Sequence, residues 1–182
     1  MTIQTIDIIE QADKFFEVAL YCIGPDYNDG FYVGEEISDE ELMKYLFPKE
    51  EVTAIVNCAF SCELYLKSIL NEGRIIGEHK LRKLFKRLDK IWKTIIIQLM
   101  EYDNVNIFYY FLKQSSDAFE KWRYIYEKED SEKKLYFVFL KRFAVVLQKV
   151  AYAKYYYERE CLEKIDEGIL KVLSGKMSEG KE

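Results

Sequence analysis

Histidine is close to absent: His79 is the single imidazole in 182 residues. That excludes a zinc site built on several histidines and a histidine pair dividing acid and base roles. Proline occurs twice and glycine eight times, too seldom to punctuate the many short strands of an all-β domain. The longest apolar stretches are interrupted, residues 91–100 by Lys93 and residues 135–153 by Lys141, Arg142 and Lys149, so no membrane span of about 20 residues is expected. The first ten residues hold Asp7 and Glu10 and no basic stretch leading into an apolar block. No secretory signal is expected there, and the expected location is the cytoplasm. Four cysteines could pair by number, but Cys58 and Cys62 lie one helical turn apart in a helical run and read as reduced core residues.

What is present points to helices. Apolar residues make up 49% and charged residues 32%, a globular balance without a break that would divide the chain. In residues 6–23, Ile8, Ile9, Ala12, Phe15, Phe16, Ala19 and Leu20 recur at three- and four-residue spacing, and Gly24 and Pro25 end that helix. Residues 24–39 read as a surface loop, and Ser38 with Glu41 forms a capping box for a short helix to about Phe47. Pro48 opens an apolar helix over residues 49–71. After a connection, a basic amphipathic helix starts near His79 or Lys80 and runs to about Glu101, with a break near Asp89. Residues 105–127 read as helical, residues 135–173 as one long final helix, and residues 174–182 as a flexible polar tail. The expected fold is all-α, an up-and-down bundle of four to five helices forming one domain over residues 1–173.

Three groups of residues stand out. Glu63 and Lys67 fall among Val52, Val56, Ala59, Phe60 and Leu70, away from a polar stripe of Asn57, Ser61 and Ser68. An acid and a base one turn apart on an apolar face form a partly desolvated pair, either a structural ion pair or part of a binding site. The run 80–90 puts Leu81, Leu84, Phe85 and Leu88 on one face and Arg82, Lys83, Lys86, Arg87 and Lys90 away from it. With Lys80 and Asp89 the run carries +5, leaving −10 for the rest of a chain whose total is −5. Such a stripe suits phosphates, or else pairs with acids of the same bundle. His79 is expected to cap the basic helix or to bond Glu63. Tyr155, Tyr156 and Tyr157 necessarily point around their helix, so some are exposed.

The segments AFSCELYLKSIL, GEHKLRKLFKRL and FEKWRYIYE resemble a HEPN domain, the helical module of many prokaryotic toxins, defence proteins and nucleotidyltransferase partners. The resemblance covers residues 50–157, and its most characteristic parts are Glu63 with Lys67 and then Gly77, His79 and Leu81. It implies a four- or five-helix up-and-down bundle that forms a homodimer; no cofactor, metal site or membrane contact is expected. The implied ligands are RNA, a nucleotide, or a partner protein such as a nucleotidyltransferase or antitoxin, in a defence or toxin–antitoxin setting. Active RNases of that family carry an arginine, four to six residues and a histidine near the start of the last core helix. Here Arg74 and His79 have a permitted separation but precede the basic helix, and Ile75 follows the arginine. Arg123, in the expected neighbourhood, has no histidine after it. The expectation is therefore a non-catalytic domain with Glu63, Lys67, His79, Arg123 and the basic stripe as binding residues. The alternatives are a metal-independent endoribonuclease using Arg74 and His79 across a dimer, and an adaptor that docks through its last helix.

Overall fold

The structure, a computed structural model, describes residues 5–23, 51–70, 76–116 and 130–179. Among these, every regular element is helical: α1 Thr5–Ile23, α2 Glu51–Leu70, α3 Leu81–Arg87, α4 Lys90–Leu99, α5 Val105–Gln114, α6 Asp130–Tyr157 and α7 Glu167–Glu179, with a 3₁₀ turn at Leu162–Lys164. The expected short helix after Ser38, Arg74, Arg123 and the segment 117–129 lie outside the described residues.

The all-α bundle forms around α2, which packs against both α1 and α6 while these touch each other. From α1, Ile9, Ala12, Phe16 and Ala19 are buried, as their spacing predicts, and Phe15 meets Phe60 edge-on at 4.5 Å. From α2, Ala54, Ile55, Cys58, Ala59, Cys62, Tyr65, Leu66 and Ile69 are buried. Val52–Leu70 is long and apolar enough to cross a membrane by length and composition, but 61% of that window is buried inside the fold. It is the core helix of this bundle. Ser61 and Ser68, which the sequence assigns to a polar stripe, are buried too. Each hydroxyl donates to its own helix, Ser61 to the Cys58 carbonyl and Ser68 to that of Tyr65, both at 2.8 Å. A serine satisfied in this way packs as a small residue.

The basic run divides where the sequence predicts. Leu88 and Asp89 are both extended, with ψ of 150° and 152°, and α4 restarts at Lys90. Lys90 therefore belongs to a different helix from the other four stripe cations. An aromatic cluster fixes α3: Phe85 lies 5.2 Å from Phe108 of α5 and 6.4 Å from Phe143 of α6, and Phe139 stacks on Phe143 at 5.4 Å.

Two helix boundaries differ from the sequence expectation. Helix α5 ends at Gln114, short of the expected residue 127: Ser115 is its C-cap, and Ser116 beyond it turns to serve the start of α3. The expected helix 135–173 starts earlier, at Asp130, and is interrupted after Tyr157. There the Cys161 N–H donates to the Tyr156 carbonyl at 3.0 Å and the Glu160 N–H to that of Tyr157 at 3.2 Å, with Glu160 at φ 58°. This is a Schellman ending, whose left-handed position favours glycine. The Glu160→Gly variant is expected to be more stable by about 1 kcal/mol, raising Tm by about 2–4 °C in a thermal melt. Asp166 then opens α7 by accepting from the Gly168 N–H at 2.9 Å, and the helix continues to Glu179 through residues expected to form the tail.

Candidate functional site

Three residues singled out in the sequence meet at one point. Glu63 is 1% exposed, and its Oε1 accepts from Lys67 Nζ at 2.7 Å and from His79 Nδ1 at 2.9 Å. Lys67 is 14% exposed and His79 48%, so the carboxylate is enclosed and its partners lead outward to solvent. The i,i+4 spacing on α2 makes the first contact, and the connection before α3 brings His79 across to make the second. Glu63 Oε2 is buried without a hydrogen-bond partner among the described residues. A carboxylate burying a half-satisfied charge is costly, which marks this node as a position under strong constraint. Gly77 has nothing within 4 Å of where a Cβ would stand, so space does not dictate glycine there.

The same connection starts the basic helix. His79 does not cap it. Ser116, far along the chain, does: its carbonyl accepts from the Leu81 N–H and its Oγ from the Arg82 N–H, both at 3.1 Å. Glu78 accepts from the backbone N–H groups of His79 and Lys80 and pairs with Lys83 at 3.0 Å. The Lys80 N–H, first among these donors, holds the Glu78 carboxyl below its ordinary range. With both ends of the connection tied, Leu81, Leu84, Phe85 and Leu88 are buried, and Arg82, Lys83, Lys86, Arg87 and Lys90 are all exposed. Arg74 and Arg123 lie outside the described residues, so the geometry joins neither to His79.

Sequence reasoning missed a second polar node. Asp13 of α1 accepts from the Tyr65 hydroxyl at 2.5 Å and from Gln148 at 2.7 Å through Oδ1, and from the Tyr152 hydroxyl at 2.6 Å through Oδ2. One carboxylate thus ties α1 to α2 and α6. The available signal was Asp13 standing four residues after Ile9 and three before Phe16, an acid within the apolar stripe. Hydrogen bonds to a charged acceptor are about twice as strong as neutral ones. Asp13→Ala is expected to cost about 2–3 kcal/mol in urea unfolding, since it strands the buried Tyr65 hydroxyl while the half-buried Tyr152 and Gln148 rehydrate.

None of the four cysteines is in a disulfide, and Cys58 and Cys62 are buried, which raises the Cys58 thiol to about 12 and the Cys62 thiol well above its usual value. Buried thiols at such values do not serve as nucleophiles at neutral pH. No group of three or more metal-ligating side chains occurs among the described residues. Comparison with protein-family models, with curated proteins and with solved structures finds no match.

Proposed function

We propose that this chain is a non-catalytic, HEPN-like helical domain that binds RNA through its phosphate backbone, acting as a homodimer in the cytoplasm. The observation that carries the reading is the α3 surface. Four cations of that short helix and Lys90 beside it are exposed, while the apolar residues of the same helix are anchored by α5 and α6. In a chain of net charge −5, such a local reversal of sign suits a polyanion. The reduced cysteines agree with a cytoplasmic setting. Each phosphate neutralised by a cation releases counterions, so the logarithm of affinity falls with the logarithm of salt by about 0.7 per contact for single strands. Three or four contacts predict a slope of about −2 to −3. Arg82→Ala/Lys86→Ala is expected to reduce its magnitude by about one to one and a half, measured by anisotropy of a labelled RNA in a salt series. An unchanged slope, or no binding at low salt, removes the reading and favours an adaptor that docks on a protein.

A metal-independent endoribonuclease is the second reading, favoured by one observation. A buried carboxylate holds Nδ1 of a half-exposed imidazole, an arrangement that fixes ring orientation and tautomer for a general base. If the protein cleaves RNA, His79→Ala abolishes the cleavage, because no other imidazole exists to replace it. Cleavage that survives this substitution eliminates the enzyme reading.

A further inference from the structure

Helix α5 runs beside the basic helix and leaves part of its aromatic surface exposed. Tyr109 is 42% exposed and Tyr110 56%. Tyr109 sits edge-on to Phe85 of α3 at 6.3 Å and to Phe108 of its own helix at 5.3 Å. Phe85 occupies one margin of the buried stripe of α3. At about 100° per residue, the exposed residues adjoining that margin are Arg82, about 60° round, and Lys86, about 100° round. Arg87 and Lys83 adjoin the opposite margin, beside Leu84. Tyr109 therefore flanks α3 on the Arg82 and Lys86 side.

A second contact fixes the relative direction of the two helices. Ser116, just past the end of α5, bonds the N–H groups of Leu81 and Arg82, so α5 lies along α3 with its C-terminal end near the start of that helix. Lys113, also exposed, follows Tyr109 by one helical turn on the same face of α5. By helical spacing, a half-exposed ring thus shares this side of the two helices with three exposed cations.

A lone exposed tyrosine is ordinary. A tyrosine held edge-on by two buried rings, with exposed cations on the same side of α3 and one turn along α5, has the two components of a single-strand binder: charge that follows the backbone and a flat ring on which a base stacks. The bases of an RNA duplex are stacked inside and offer no face to such a ring. We infer that Tyr109 is a base-stacking residue, and that the RNA it receives is single-stranded, with its phosphates against Arg82, Lys86 and Lys113. This inference rests on the RNA-binding reading above and specifies its ligand.

The test uses the full chain, a labelled oligouridylate of about 12 nucleotides, a blunt RNA duplex, and inorganic polyphosphate as a polyanion without bases. Tyr109→Leu keeps apolar bulk against Phe85 but removes the aromatic face, and Tyr109→Phe keeps the ring. The expected result is about tenfold weaker oligouridylate binding by Tyr109→Leu, binding within about twofold of the parent for Tyr109→Phe, and unchanged polyphosphate binding for both. Thermal melts establish that both variants are folded. The inference is overturned alone if the parent binds oligouridylate with the salt slope given above and Tyr109→Leu binds it equally well. It is also overturned if Tyr109→Leu loses oligouridylate and polyphosphate alike, or if the duplex binds as tightly as the single strand. Binding of neither oligouridylate nor polyphosphate by the parent overturns the RNA-binding reading, and the stacking role with it.

Discussion

Raising the pH from 9 to 11 is expected to destabilise this protein strongly. Cys58, Cys62 and Tyr65 are buried with their acidity suppressed, in each case chiefly by desolvation, and the Asp13 carboxylate adds to the effect on Tyr65. Their ordinary values are 9.0 for the two thiols and 10.0 for the tyrosine. Above those values the unfolded chain releases protons that the folded chain keeps. Stability falls with pH wherever the folded state binds more protons, so the contribution of each group is complete below its unfolded value and is lost as pH rises through this window. Each pH unit in the window costs about 1.4 kcal/mol per group. By pH 11 Cys58 accounts for about 3 kcal/mol and Tyr65 for about 1 more, and Cys62 adds in the same direction, a substantial part of the stability of many domains. Tyr152 and Tyr102, also raised by burial, add in the same direction above pH 10. Lys141 acts oppositely: burial lowers its value, so its unfolded form binds the extra proton and its contribution grows as pH rises towards 10.5. Urea unfolding by circular dichroism at half-unit steps from pH 8 to 11 measures the sum. In Cys58→Ala/Cys62→Ala, which is less stable at pH 8 because methyl groups replace buried thiols, the fall between pH 9 and 10 should largely vanish. A parent curve flat to pH 11 would contradict the assignment of these thiols to the core.

The parts of this molecule that were legible in its sequence are those set by local spacing. The three- and four-residue period gave the buried face of α1, and the same period separated Leu81, Leu84, Phe85 and Leu88 from the exposed cations. Glu63 and Lys67 could be matched because partners four residues apart on a helix meet whatever surrounds them. His79 bonding Glu63 was legible as one of two alternatives, since one end of α2 and the start of the next helix are joined by a short connection.

What was not legible depends on groups distant along the chain or on backbone states with no residue signature. Ser116 caps α3 from 34 positions after Arg82, and no pattern within either segment announces it. Asp13 finds its donors 52, 135 and 139 residues away. Glu160 ends α6 in a left-handed conformation that sequence associates with glycine, so the run from 135 to 173 read as continuous. Ser61 and Ser68 read as a solvated stripe because composition does not tell a hydroxyl facing water from one returned to its own helix. Tyr109 gains its importance only once α5 and α3 are known to lie side by side.

Removing the cation from the Glu63 node is expected to cost more than removing the whole ion pair. Lys67→Met deletes the 2.7 Å partner of a carboxylate that is 1% exposed, leaving His79 as the described partner of a buried charge. Breaking such a pair from one side costs about 3–5 kcal/mol, or about 6–20 °C in Tm for a chain of this length. Glu63→Leu/Lys67→Met removes the charge together with its partner and fills the space with apolar side chains. Pairs replaced in this way are commonly neutral or stabilising, so the double variant should return to within about 1 kcal/mol of the parent. The cycle read by urea unfolding therefore predicts a large non-additivity, and additive losses would mean that the node is hydrated rather than buried. RNA affinity read on the same variants separates structure from binding. Glu63 holds His79, His79 precedes the capped start of α3, and Glu78 beside it pairs with Lys83. If the node positions the basic helix for its ligand, the stable double variant binds RNA more weakly with its salt slope unchanged in shape. If affinity is kept as well, the ion pair serves the fold alone, and the cations of α3 act without it.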